Sequence, residues 1–159
     1  MDVGAPRIAL RERLCHNAAA GASRFAPAVK GDTTMITGLD HVQLAMPRGG
    51  EGRARAFYGD LLGMAELEKP APLAARGGCW FAAGGAQIHI GVEDPFTPAR
   101  KAHPALLVDD LDGLVARLRA AGADVLEDSA GLDRRRFYAA DPFGNRLELI
   151  ARGDGFSER

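Results

Sequence analysis

Polar and apolar residues alternate along residues 39–46. His41, Gln43 and Ala45 fall on one face and Val42, Leu44 and Met46 on the other, the two-residue period of a strand. Pro47-Arg48-Gly49-Gly50 ends it. The period then lengthens: Ala54, Phe57, Tyr58, Leu61 and Leu62 share one side of a predicted helix over residues 51–62, and Gly63 is placed to cap it. Residues 65–68 read as a short strand, 69–72 as a Pro-rich loop, and 73–76 fit neither period. Two apolar runs, 78–83 and 86–92, flank Gly84-Gly85, the pattern of a hairpin.

A linker with Pro95 and Pro98 follows, and then the order recurs. Residues 103–108 predict a strand. Asp109 or Asp110 can cap a helix over 111–121, whose apolar stripe is Leu111, Leu114, Val115 and Leu118. Gly122 stands where Gly63 stood. Short and longer strands are expected at 124–126 and 134–140. The turn Asp141-Pro142-Phe143-Gly144-Asn145 feeds a last strand over 146–151. His41 and His103 lie 62 residues apart, Gly63 and Gly122 lie 59 apart, and so do His89 and Glu148. One near-constant offset at three landmarks implies an internal duplication of a strand-helix-strand-strand-strand unit. Two copies are too few for a solenoid, so two paired sheets around a shared cleft are expected.

Composition narrows the function. The 159 residues suit one domain, and 47% hydrophobic content suits a packed core. A net charge of −1 lacks the basic excess of a nucleic-acid binder, and no apolar run reaches the length of a membrane span. Cys15 and Cys79 make no disulfide framework, which points to a reducing, cytoplasmic setting. Residues 1–34 are richer in Arg and small residues than the rest, with a weak helical pattern at 8–20, and they lack the apolar centre of a secretory signal. They are expected to be a mobile tail or to precede the natural start at Met35, and residues 153–159 a short C-terminal tail.

The candidate chemistry is sparse. Glu148 sits between Leu147 and Leu149, where a charge is costly unless a partner or a cation satisfies it. A surface carboxylate paired with Arg146 is the bland alternative. His41, His89 and His103 lie in comparable settings, and a lone strand histidine is commonly only a hydrogen-bonded core residue. For His41 and His103 the matched repeat positions favour ligation instead, while His89 is open as a fourth ligand, a general base or a solvent-facing residue. Imidazole nitrogens with a carboxylate suit a divalent transition metal: Zn, Ni, Co, Mn or Fe. Glu148 and His89 are candidate bases. Tyr138, Arg136 and Gln87 are candidate substrate contacts, although Arg134-Arg135-Arg136 is commonly a solvated edge. Phe57-Tyr58 and Trp80-Phe81 read as core. His16, in the leading segment, has no expected role.

Three pieces carry a family resemblance: Asp40-His41-Val42; Phe57-Tyr58 with Leu61-Leu62-Gly63-Met64; and Asp141-Pro142-Phe143-Gly144-Asn145 followed by Leu147-Glu148-Leu149. In their order and spacing they resemble the vicinal oxygen chelate superfamily, which includes glyoxalase I, methylmalonyl-CoA epimerase, extradiol dioxygenases, and fosfomycin- and bleomycin-resistance proteins. The resemblance implies an α+β fold in which two βαβββ modules, about 36–93 and 102–151 within a single domain at 35–152, form a curved eight-stranded half-barrel. It implies one divalent metal in the mouth, held by the first and last strands of each module: His41, His89, His103 and Glu148. Glyoxalase I often has a glutamate at the position of His89, and Gln87 shares its strand face. The implied activity is that of a lyase or isomerase acting on metal-chelated vicinal oxygens of a small molecule, in a homodimer. An Fe(II) extradiol dioxygenase, a non-catalytic drug- or metabolite-binding protein, and a thiol transferase acting on an epoxide are the alternatives.

Overall fold

The computed structural model describes residues 35–129 and 134–153. Expectations for residues 1–34, and for the tail beyond Gly153, lie outside the described residues. The first module runs β1 (Val42–Met46), α1 (Glu51–Ala54) continuing as π-helical turns over Arg55–Leu61, β2 (Ala65–Leu67), α2 (Ala71–Ala74), β3 (Cys79–Ala83) and β4 (Ala86–Val92). The second runs β5 (Ala105–Val108), α3 (Leu111–Ala120), β6 (Val125–Glu127), β7 (Arg136–Ala140) and β8 (Arg146–Ala151). Each module forms its own open four-stranded sheet, ordered β1-β4-β3-β2 and β5-β8-β7-β6. The fold is α+β with two βαβββ modules, as the repeat implied.

In both sheets the first strand pairs in parallel with the last, Gln43 opposite His89 and Ala105 opposite Glu148. Duplicated topology therefore explains the duplicated spacing. The two helix-ending glycines are also equivalent: Gly63 and Gly122 take φ +72° and +77°, the left-handed conformation that closes a helix without a Cβ clash. Asp110, not Asp109, caps α3, accepting the Gly113 N–H at 2.9 Å.

Three local expectations needed correction. The first helix is α-helical only to Ala54, and beyond it the Leu62 N–H reaches back five residues to Phe57 at 2.8 Å. Over so short a run the wider turn keeps the same apolar positions on one side, so the pattern cannot distinguish the two forms. Residues 71–74 form one helical turn after Pro70. His41 and His103 lie just ahead of β1 and β5, not within them. Pro104 has no N–H to give a ladder, but its carbonyl still accepts from Glu148 N at 3.0 Å.

One apolar core runs through both modules, with Met46, Tyr58, Phe81, Ile88 and Ile90 of the first and Leu118, Leu147 and Leu149 of the second fully buried. A polar hub crosses it. The Asp141 carboxylate accepts from the backbone N–H of Phe143 and Asn145 at 2.8 Å each, from Asn145 Nδ2 at 2.7 Å and from Tyr58 Oη at 2.9 Å. Burial and this carboxylate push the Tyr58 hydroxyl well above its usual pKa, keeping it a donor. Asn145, fully buried, also donates to the Ala45 carbonyl and accepts from Ala99 N. The turn at 141–145 is thus more than a reversal: it ties β1, the first helix and the inter-module linker together.

Candidate metal centre

The four predicted ligands fall into two pairs, one per sheet. At the start of β1 the His41 ring stacks on His89 of β4, centroids 3.9 Å apart. At the start of β5 His103 Nε2 lies 3.2 Å from Glu148 Oε2 of β8. Parallel pairing of first and last strands sets both meetings. The two pairs do not merge within a chain: among the described residues, no three His, Cys, Asp or Glu side chains converge as a metal-binding group.

The donor chemistry of each pair fits a divalent cation. His103 Nδ1 is 2.7 Å from the Lys101 carbonyl, an acceptor only, so this nitrogen carries the proton. In the neutral ring Nε2 then presents a lone pair to a carboxylate oxygen. Two acceptors at 3.2 Å repel unless a proton or a metal cation lies with them. His41 Nδ1 is 2.6 Å from Asp40 Oδ1, which places a proton on Nδ1 and leaves Nε2 as the ring atom open to a metal. Carboxylate and carbonyl partners of this kind orient metal-binding histidines. His89 Nε2 is buried and without a hydrogen-bond partner. Burial first, and the neighbouring His41 second, hold the His89 pKa below its usual value, favouring the neutral, ligating imidazole.

Two of the three predicted substrate contacts, Tyr138 and Arg136, gather on the second pair. Tyr138 is the cross-strand partner of Glu148, and its ring meets His103 edge-on at 5.6 Å. Arg136 Nη1 binds Glu148 Oε1 at 2.6 Å, and its Nε lies 3.6 Å from Asp128, within ion-pair range but beyond hydrogen bonding. Glu148 is thereby buried with one oxygen committed to Arg136 and the other turned to His103. Gln87 shares the His89 face of β4 but is only half-buried, against 6% exposure for His89.

Trp80 was expected in the core. It is half-buried and stacks flat on His89, centroids 4.1 Å apart and planes 5° from parallel. It is the cross-strand partner of His89, as Tyr138 is of Glu148, so the two aromatic residues hold equivalent positions in the two modules. The Gly84-Gly85 turn already implied that register. Phe57 and Tyr58 are core, as expected.

The comparisons agree with this architecture. A family model described as a glyoxalase-like domain matches residues 43–150. A crystal structure of a protein assigned to the glyoxalase family from Bacillus anthracis is 52% identical, with TM-score 0.70 over 73% of this chain and 95% of that one. The fosfomycin resistance protein FosX from Listeria monocytogenes is 22% identical, with TM-score 0.62 over 79% and 99%. A glyoxalase/dioxygenase from Nostoc punctiforme is also 22% identical, with TM-score 0.60 over 72% and 90%. At those identities the last two share the fold alone. No curated protein matches significantly. No helix among the described residues is long and apolar enough to cross a membrane. With two βαβββ modules and a family match across nearly all of both, the chain belongs to the glyoxalase-like domain family of the vicinal oxygen chelate superfamily.

Proposed function

We propose that this chain is a small-molecule metalloenzyme of the glyoxalase-like kind, a lyase or isomerase, whose divalent metal is held by His41, His89, His103 and Glu148 across a homodimer. The observation that carries the reading is the pairing of ligand-capable side chains: His41 with His89 on one sheet, His103 with Glu148 on the other. Each pair is half of a ligand set. In a two-fold dimer the first module of one chain can complete the second module of its partner. Leu107 and Leu126, 54% and 68% exposed on the sheet face that carries Glu148, suit burial under such a partner.

When bound, the metal would act as a Lewis acid on two neighbouring substrate oxygens. The protein's own part is proton handling and positioning. Arg136 fixes Glu148 Oε1, leaving Oε2 as the oxygen that takes and returns a proton beside the bound substrate. His89, kept neutral, is the alternative base. Tyr138 and Trp80 supply flat walls flanking Glu148 and His89.

Subunit complementation tests the arrangement. His41→Ala and Glu148→Gln, each assayed alone, should bind no stoichiometric metal. Refolded together, half of the dimers are mixed and each has one intact site, restoring about a quarter of the wild-type metal content. No recovery on mixing would sink the shared site, and a wild type that binds no metal at micromolar concentration would sink the metalloenzyme reading. Isomerisation of a hemithioacetal supports the lyase or isomerase assignment. His41, His103 and Glu148 also make up a two-His-one-carboxylate set, so iron retention with oxygen uptake on catechols would move the assignment to an extradiol dioxygenase.

A further inference from the structure

The sheet face that carries Glu148 continues toward the β7–β8 turn, where it opens into a cavity of about 330 Å³. Tyr138, Ala140 and Arg146 line it from β7 and β8, Asp124 and Leu126 from β6 and the residue before it, and Arg100 from the linker. Arg146 and Glu148 are two residues apart on one strand, so they share a face and stand about 7 Å apart along it. Tyr138 is the common wall. One side of its ring meets His103, and the Arg146 guanidinium lies 5.1 Å from its centroid.

Arg100 follows a pinned stretch of backbone, and its own side chain is exposed. The Ala99 carbonyl accepts from Arg146 N at 2.9 Å, and Ala99 N donates to Asn145 Oδ1 at 2.9 Å. The linker is thus pinned to the turn one residue before Arg100. Among the described residues neither Arg100 nor Arg146 has an ion-pair partner, although Asp124 lines the same cavity. Arg134–Arg136 and Arg152 stand in contrast: Arg135, Arg136 and Arg152 are each matched to an acid. Two arginines against one aspartate leave the cavity with a single net positive charge, beside a site whose own carboxylate is already bound to Arg136.

We infer that Arg100 and Arg146 form an anion subsite, and that the substrate carries an oxyanion, a carboxylate or phosphonate, a few bonds from the atoms that approach Glu148. Guanidinium forks match both groups geometrically. The inference rests on the proposed metal site for its catalytic meaning, but not for its binding. It gives a role to an arginine at the start of β8 that lies over Tyr138 and has no carboxylate partner among the described residues.

The test uses the full-length protein, stripped of metal by chelation, titrated with methylphosphonate and separately with acetate while the Gly144 and Arg146 amide resonances are followed. Saturable binding is expected for at least one probe, and the preferred one identifies the oxyanion. Arg100→Gln/Arg146→Gln should weaken it at least tenfold, Arg100→Lys/Arg146→Lys should recover part of the loss, and Arg76→Gln, exposed and outside the cavity lining, should leave it unchanged. Thermal midpoints of all variants separate lost binding from lost folding. No saturable binding to wild type, or equal binding by the double glutamine variant, overturns the subsite. Glu148→Gln should still bind the probe, so failure of the metal site and failure of the anion subsite give different results.

Discussion

His103 Nε2 faces Glu148 Oε2 at 3.2 Å while the other nitrogen of the same ring is committed to the Lys101 carbonyl. A ring nitrogen and a carboxylate oxygen held this way need a proton or a metal cation between them. Glu148→Gln and His103→Ala should each abolish stoichiometric metal binding. Arg136→Gln, which frees Glu148 Oε1 without removing a ligand, should weaken it roughly 10–100-fold. Isothermal titration with Zn²⁺ and Ni²⁺ measures all three, and an Arg136→Gln affinity equal to wild type would remove Arg136 from the site.

The flat stack of Trp80 on His89 gives a second route to the same centre. Trp80 is the only tryptophan of the 159-residue chain, so its emission reports one place. Paramagnetic Ni²⁺ or Co²⁺ bound at His89 should quench it, and His89→Ala should abolish the quenching. Quenching that persists in that variant would put the metal elsewhere.

Tyr58→Phe removes one of four donors to the buried Asp141 carboxylate and nothing of the ring packing. The cost should be about 1–3 kcal/mol in urea unfolding, with an unchanged denaturant slope. A loss below the error of the measurement would mean that the Tyr58 hydroxyl contributes nothing to the hub.

Gly78 takes φ +88°, and a Cβ there would collide with the Ile90 carbonyl oxygen. Gly78→Ala should therefore destabilise the chain by at least ~2 kcal/mol, from the strained conformation and the clash together. Gly85→Ala, with open space around it, is the comparison, and thermal melts of the two variants should differ clearly.

Glu51 Oε1 accepts the Gly78 N–H at 3.0 Å, and that bond is the main reason its carboxyl is held below the ordinary 4.5. A lowered folded-state pKa means that folding favours the ionised form. The stabilisation is present above pH 4.5 and is lost as pH falls through the folded value. Thermal midpoints from pH 6 to pH 3 should fall more steeply for wild type than for Glu51→Gln, by a modest margin because the group is only partly buried. Parallel curves would rule out this contribution.

Much of this was legible in the chain. The offsets of His41, Gly63 and His89 to their counterparts mark the duplication, and first-with-last strand pairing makes those offsets a structural fact. Tyr138 opposite Glu148 and Trp80 opposite His89 follow from counting outward from the two turns, although Trp80 reads as core by its apolar character alone. The division of four ligand candidates into two pairs was hidden. Alternation tells which face a side chain takes within a sheet, not how two sheets face each other. Asp128 beneath Arg136 and Tyr58 beneath Asp141 were hidden for a related reason: both depend on which side chains meet once the strands are laid down, and for Tyr58 and Asp141 that is across 83 residues.

A duplicated chain carries a hazard: each half has its own sheet and could open alone, exposing half a core to aggregation. The Asp141 hub works against that. Opening the first module strands a buried carboxylate and an asparagine whose partners, Tyr58 and the Ala45 carbonyl, belong to the module that has left. That penalty falls on the half that stays behind, so the two modules should melt as one cooperative unit, with coincident transitions and no half-folded species to accumulate.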